Sequence, residues 1–196
     1  MQEATDKRNK IVKDFAKWAA LSALRSGSPL KSRQAVYGLL ENHANLKELF
    51  DSTCFIDQPD FDDWHKGTVL VFVKAEPALK RTNQVGWAAK IINVYLKTRV
   101  YLAGEGRDGL LAAIHPPIDS GLVKGLKKSF PERPWMIKQI KNVHSYEGDY
   151  FPFIEECRSL AKAKGFLPIE VEYYWQGAEA PSGNPQEGRG VEPPDS

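Results

Sequence analysis

From Asp6 to about Gly165 the apolar residues recur mostly at intervals of three and four, the repeat of one face of an α-helix. Ile11, Phe15, Trp18, Ala19 and Ser22 line one side of a helix expected over 6–25, with Lys10, Lys13, Asp14 and Lys17 opposite. Ser26-Gly27-Ser28-Pro29 ends it. Ser32 is placed to cap a second helix carrying Ala35, Val36, Leu39 and Leu40 to about His43, and Asn45 with Glu48 three residues on reads as the cap of a short helix through Phe50. Asp60 begins a helix with Phe61, Trp64, Thr68 and Phe72 on one side. Val69–Val73 is β-branched enough for a strand, but no partner strand stands nearby and Trp64-His65-Lys66 favours helix, so helix is expected.

Pro77 breaks that run, and Thr82 or Asn83 caps a helix over 84–102, with Trp87, Ala88, Ile91, Val94, Tyr95 and Leu102 as its broad apolar surface. Lys90, Asn93 and Lys97 form its polar row. Gly104–Gly109 is a glycine-punctuated turn that lacks the Gly-Lys-Ser/Thr of a phosphate loop. Asp119 or Ser120 starts a helix to about Phe130, and Trp135 to about Val143 is expected to form the next. Pro152 fits a first helical turn, Phe153, Ile154, Cys157, Leu160 and Ala161 form a core stripe, and Gly165 is placed as a C-cap. Leu167 to Trp175 reads as a strand or extended segment. The pattern predicts a mostly α, compact helical domain over 1–176, followed by a disordered acidic Pro/Gly-rich tail over 177–196.

No apolar run approaches the ~18 residues that span a bilayer, and the charged opening is unlike a signal peptide. A cytoplasmic address, or the nucleoid in a prokaryote, is expected, without membrane contact and as a monomer. Cys54 and Cys157 have no metal-ligand spacing, so neither a disulfide nor a metal is expected. Charge is unevenly spread: residues 81–150 carry 11 basic and six acidic groups against a net charge of +2 for the whole chain. That segment suits a phosphate-facing surface, and it also suits an ordinary solvated basic face.

Within it, Lys90 and Asp119 invite a chemical reading. A lysine on a polar row is ordinarily solvated, whereas in an apolar pocket desolvation favours the neutral, nucleophilic amine. An aspartate at a helix start ordinarily caps it, and a capped carboxylate still has an outer oxygen to offer. Val85-Gly86 leading into the helix that bears Lys90, and the Pro117-Ile118-Asp119 step ahead of the next helix, resemble the helix-hairpin-helix DNA glycosylases, in particular the 8-oxoguanine glycosylase/lyase branch. The hairpin reads Thr82-Asn83-Gln84-Val85-Gly86 where that family has Leu-Pro-Gly-Val-Gly, Lys90 follows Gly86 by four positions, and Lys80, Lys97 and Lys124 are rival amines.

The resemblance, over roughly residues 80–130, implies that Lys90 attacks the deoxyribose C1′ and forms a Schiff base while Asp119 assists base loss and ring opening. It implies damaged duplex DNA as partner and no metal or organic cofactor. Gly86, His115, Lys124, Lys127, Lys128 and Arg133, with Lys138 and Lys141, are then candidate DNA contacts. Trp64, Trp87 and Trp135 are candidate base platforms, although each sits in an apolar pattern that favours the core. The competing expectations are a non-enzymatic helical module that binds DNA through the same basic face and a protein-interaction scaffold.

Overall fold

The helix α6 (Val85–Leu96) runs through the middle of the protein, and of its twelve residues only Val94 is less than fully buried. The structure, a computed structural model, describes residues 2–24 and 27–176, with side chains from Asp6; the tail expected over 177–196 lies outside the described residues. Around α6 are arranged α1 (Gln2–Ser22), α2 (Arg33–Asn42), α3 (Lys47–Phe50), α4 (Gln58–Ala75), α5 (Pro77–Lys80), α7 (Leu110–Ala113), α8 (Ser120–Ser129) and α9 (Phe151–Lys164). The fold is mostly helical, and no strand occurs among the described residues. None of their helices is long and apolar enough to cross a membrane.

Local sequence accounts for most of these boundaries. Ser32 accepts from Ala35 N–H at the start of α2, Asp119 accepts from Leu122 N–H at the start of α8, and Gly165 closes α9 at φ 70°, a conformation open to glycine. The segment 69–73 is helical, within α4. That helix starts earlier than expected because Asp57, not Asp60, is the cap, accepting from Asp60 N–H with Pro59 in the first turn. Leu46 takes the cap position of α3, and Asn45, at φ 36°, instead donates to Glu48 from its side chain. Beyond Leu96, α6 continues as a π-helical stretch, Lys97–Leu102, so the expected helix over 84–102 is one rod with a wider last portion.

Three expectations are corrected. On α1 the bulky stripe faces out: Ile11, Phe15 and Trp18 are exposed, while Ala16, Lys17 and Ala20 are buried. Small side chains let α1 lie close against α6, and Lys17 is tied by Asp14 at 3.0 Å and Glu41 at 2.8 Å. The segment 135–143 is not a helix apart from the single turn Ile140–Asn142. Trp135 and Ile137 are buried and Met136 and Lys138 exposed, the two-residue alternation of extended chain. It crosses the start of α6, where Gly86 N–H donates to Val143 O at 3.1 Å and a Cβ on Gly86 would stand 2.4 Å from Ile140 O. Finally, Pro168–Tyr174 is a 3-10 helix instead of a strand or extended segment.

Candidate functional site

Two elements far apart in sequence bring Lys90 and Asp119 together. Lys90 projects from the second turn of α6, and Asp119 caps α8 after the Pro116-Pro117 step. Their Nζ and Oδ2 atoms lie 3.4 Å apart. The lysine is 5% exposed and its ammonium also sits 5.8 Å from the centroid of the Trp87 ring. Asp119 is held through its other oxygen, Oδ1, which accepts from Leu122 N–H and from the Trp175 indole N–H, both at 2.9 Å. The cap role and the lysine contact are therefore divided between the two carboxylate oxygens.

Both groups line a concave cavity of about 440 Å³ whose walls are α1 (Phe15, Ala19, Ser22), the α6 rod (Lys90, Val94, Lys97, Thr98, Leu102), Pro117, Glu172 of the 3-10 helix Pro168–Tyr174 and Trp175 just after it. That volume lies in the range that holds small organic ligands or a single nucleotide. Lys97 adds a second amine, ion-paired with Glu172. Burial raises the Glu172 carboxyl above its ordinary range, although Lys97 and, more weakly, Lys90 draw it down. The cavity thus presents two lysines and two carboxylates on mainly apolar walls.

Glu172 and Trp175 reach the cavity because their segment lies directly on α8. Gln176 N–H donates to Gly121 O at 3.2 Å, and a Cβ on Gly125 would stand 1.7 Å from Tyr174 O. Glycine spacing at 121 and 125 is the trace this docking leaves in the sequence, but it names no partner. For that reason Glu172 and Trp175 escape a reading by motif.

The other expected site residues are dispersed. Gly86 is covered by Ile140 and Val143, and His115 is completely buried, so neither reaches solvent. Lys124 and Lys128 are exposed on α8 and Lys127 is half-buried there. Arg133 is half-buried between Glu156, at 3.4 Å, and Ser159, at 3.3 Å. None of these six lines the cavity. Of the rival amines only Lys97 does. Trp64, Trp87 and Trp135 are buried in the core, and Trp175, partly exposed, is the tryptophan at the cavity wall.

His115 belongs to a hydrogen-bonded chain beneath the Pro116-Pro117 step. The Tyr146 hydroxyl donates to His65 Nδ1 (2.8 Å), and His65 Nε2–H donates to Asn93 Oδ1 (2.8 Å). Asn93 Nδ2 donates to the Tyr150 hydroxyl (2.8 Å) and to Pro116 O (3.2 Å). Tyr150 donates to His115 Nδ1 (3.0 Å), and His115 Nε2–H to Asp62 Oδ1 (2.9 Å). With both imidazoles taken as neutral, the chain runs donor to acceptor from Tyr146 to Asp62; Arg158 Nη2, also 2.8 Å from His115 Nε2, then directs its hydrogen bond to Asp62 Oδ1. Asn93, on the polar row of α6, thereby anchors the loop that delivers Asp119.

Burial pushes both histidines below their ordinary range, well below for His65, where repulsion from His115 and Arg158 acts the same way; for His115 the hydrogen bond to Asp62 works against burial and Arg158 with it. A folded-state value under the unfolded 6.5 means that the unfolded chain binds protons first as pH falls. The stability is complete above pH 6.5 and is lost below it, with a slope approaching about 1.4 kcal/mol per pH unit for each histidine. Urea titrations at pH 7.5 and pH 5.5 are expected to show a lower midpoint at the acid value. In His65→Gln the difference is expected to shrink, and an unchanged difference would exclude His65 as its source.

Compared with known proteins, the chain shows no match to a family model, to a curated protein or to a solved structure.

Proposed function

We propose that the protein is a DNA base-excision glycosylase with associated β-lyase activity, acting on an oxidised purine of the 8-oxoguanine kind. The observation that supports this is a buried lysine 3.4 Å from a helix-capping aspartate inside a cavity large enough for a nucleotide. Lys90 Nζ, its ammonium having first given a proton to water, attacks C1′ as the free amine and the bond from C1′ to the base nitrogen breaks, the base leaving with the electron pair and taking a proton from water. Asp119 takes the proton released by the new C1′–Nζ bond and hands it to O4′ as the sugar ring opens. The product is a protonated imine between Lys90 and C1′. The apolar surfaces of Val94 and Pro117 lie beside that linkage, with Phe15 and Leu102 at the mouth of the cavity.

The test is incubation of the purified protein with labelled DNA containing 8-oxoguanine, with and without borohydride, beside the same DNA undamaged. A covalent band that needs both lesion and borohydride, accompanied by free base, is the expected outcome. Salt-sensitive binding through Lys124, Lys128 and their neighbours, with neither free base nor a band, would instead identify a non-enzymatic DNA-binding module, because phosphate contacts alone give counterion release. Absence of binding as well would point to a protein-interaction scaffold.

A further inference from the structure

The stripe that α1 turns to solvent borders the candidate site. Ile11, Phe15 and Trp18 are 69%, 52% and 54% exposed, and the rings of Phe15 and Trp18 stack with centroids 5.4 Å apart at 30°. Phe15 is also a wall of the Lys90 cavity, as is Leu102, itself 64% exposed. Large apolar side chains gathered on one face at the mouth of a cavity that holds charged groups mark a contact surface. The first turns of the stripe are flanked by basic side chains, Lys7 and Arg8, both exposed, whereas Lys10 is paired with Asp14 at 3.0 Å. Arg8 is braced on Ala103 O at 3.1 Å, close beside Leu102.

We infer that the Ile11–Phe15–Trp18 face is a stacking platform for unpaired nucleotides next to the one held in the cavity, so that the ligand is a single-stranded nucleic acid. Duplex DNA turns only base edges and phosphates outward, whereas an unpaired strand offers π-faces to aromatic side chains and phosphates to flanking lysines. The stripe runs roughly 10 Å along the helix axis, enough for about two nucleotides. Continuity through Phe15 sets the register, with the strand passing from the α1 face into the Lys90 cavity. The inference rests on the glycosylase reading only for the chemistry of the nucleotide in the cavity, and it narrows the substrate to a strand unpaired beside the lesion.

The test is anisotropy with an undamaged labelled oligodeoxyadenylate of about 12 nucleotides, alone and annealed to its complement, at one salt concentration. Wild type is expected to bind the single strand at least tenfold more tightly than the duplex. Trp18→Ala should weaken single-strand binding by about five- to a hundredfold and Ile11→Ala by less, while duplex binding and the melting temperature stay unchanged and Trp18→Phe regains most of the loss. Equal affinity for single strand and duplex, or alanine variants that bind like wild type, would overturn the platform. So would a wild-type dimer in sedimentation that Trp18→Ala dissociates, since the stripe would then be the seat of a second copy. Single-strand binding with these sensitivities but no covalent band on damaged DNA removes the glycosylase reading and leaves the platform standing. A band formed on damaged duplex at the same rate by wild type and the alanine variants does the reverse.

Discussion

Lys90→Gln is expected to abolish the borohydride-trapped adduct and to slow single-turnover base release by roughly 10³-fold or more, because the amide has no nucleophilic amine to form the imine. The protein should remain folded. Glutamine keeps most of the side chain's length and a donor for Asp119 Oδ2, and Asp119 Oδ1 retains the Leu122 and Trp175 hydrogen bonds. A melting temperature within a few degrees of wild type, with DNA affinity preserved, would separate lost chemistry from lost structure. The companion variant is Lys97→Gln, since Lys97 is the other amine of the same cavity. An adduct that persists in Lys90→Gln and vanishes in Lys97→Gln would move the nucleophile one step along the α6 rod.

The second large effect concerns stability. Arg158→Met is expected to destabilise the fold by about 3–5 kcal/mol, which at this chain length lowers the melting temperature by roughly 10 °C. Arg158 grips Asp62 with both terminal nitrogens, at 2.9 Å and 2.5 Å, and also meets Glu155. Burial by itself would raise the Asp62 carboxyl, but the hydrogen bonds from His115 and Arg158 more than offset it and hold the group below its ordinary range. Methionine retains the hydrocarbon bulk and leaves that carboxylate largely buried, with only neutral donors, His115 and Gln58. Adding Asp62→Asn removes the stranded charge while keeping an acceptor for His115, so the double variant should be more stable than Arg158→Met alone. Urea unfolding of the four proteins in the cycle measures this. A single-variant cost below 1 kcal/mol, or no recovery in the double, would show that the pair is screened by solvent.

This pair matters for the site as well as for the fold. The chain from Asp62 through His115, Tyr150 and Asn93 ends on Pro116 O, three residues before Asp119. His115 is an expected DNA contact whose position between Ile114 and the two prolines is compatible with an exposed loop. The structure uses it inside, as the neutral link between Asp62 and Tyr150. Nothing local to His115 could reveal this, because Asp62 and Tyr150 approach it from α4 and from the turn before α9.

Local information in the sequence determined the helices whose boundaries depend on near neighbours. Ser32, Asp119 and Gly165 act on groups within four residues, and a helical apolar repeat persists through α4, α6 and α9. It also placed an amine and a carboxylate at the heads of two successive long helices. What only tertiary structure decided is which side of an element meets another. The apolar stripe of α1 faces solvent because Ala16 and Ala20, not Phe15 and Trp18, allow close approach to α6, and 135–143 is extended because its pairing is to the start of α6. Glu172 and Trp175 reach Lys90 and Asp119 only because their segment rests on Gly121 and Gly125. Those outcomes are set by contacts between residues far apart in the chain, and periodicity is blind to them because it records a repeat without identifying what packs against it.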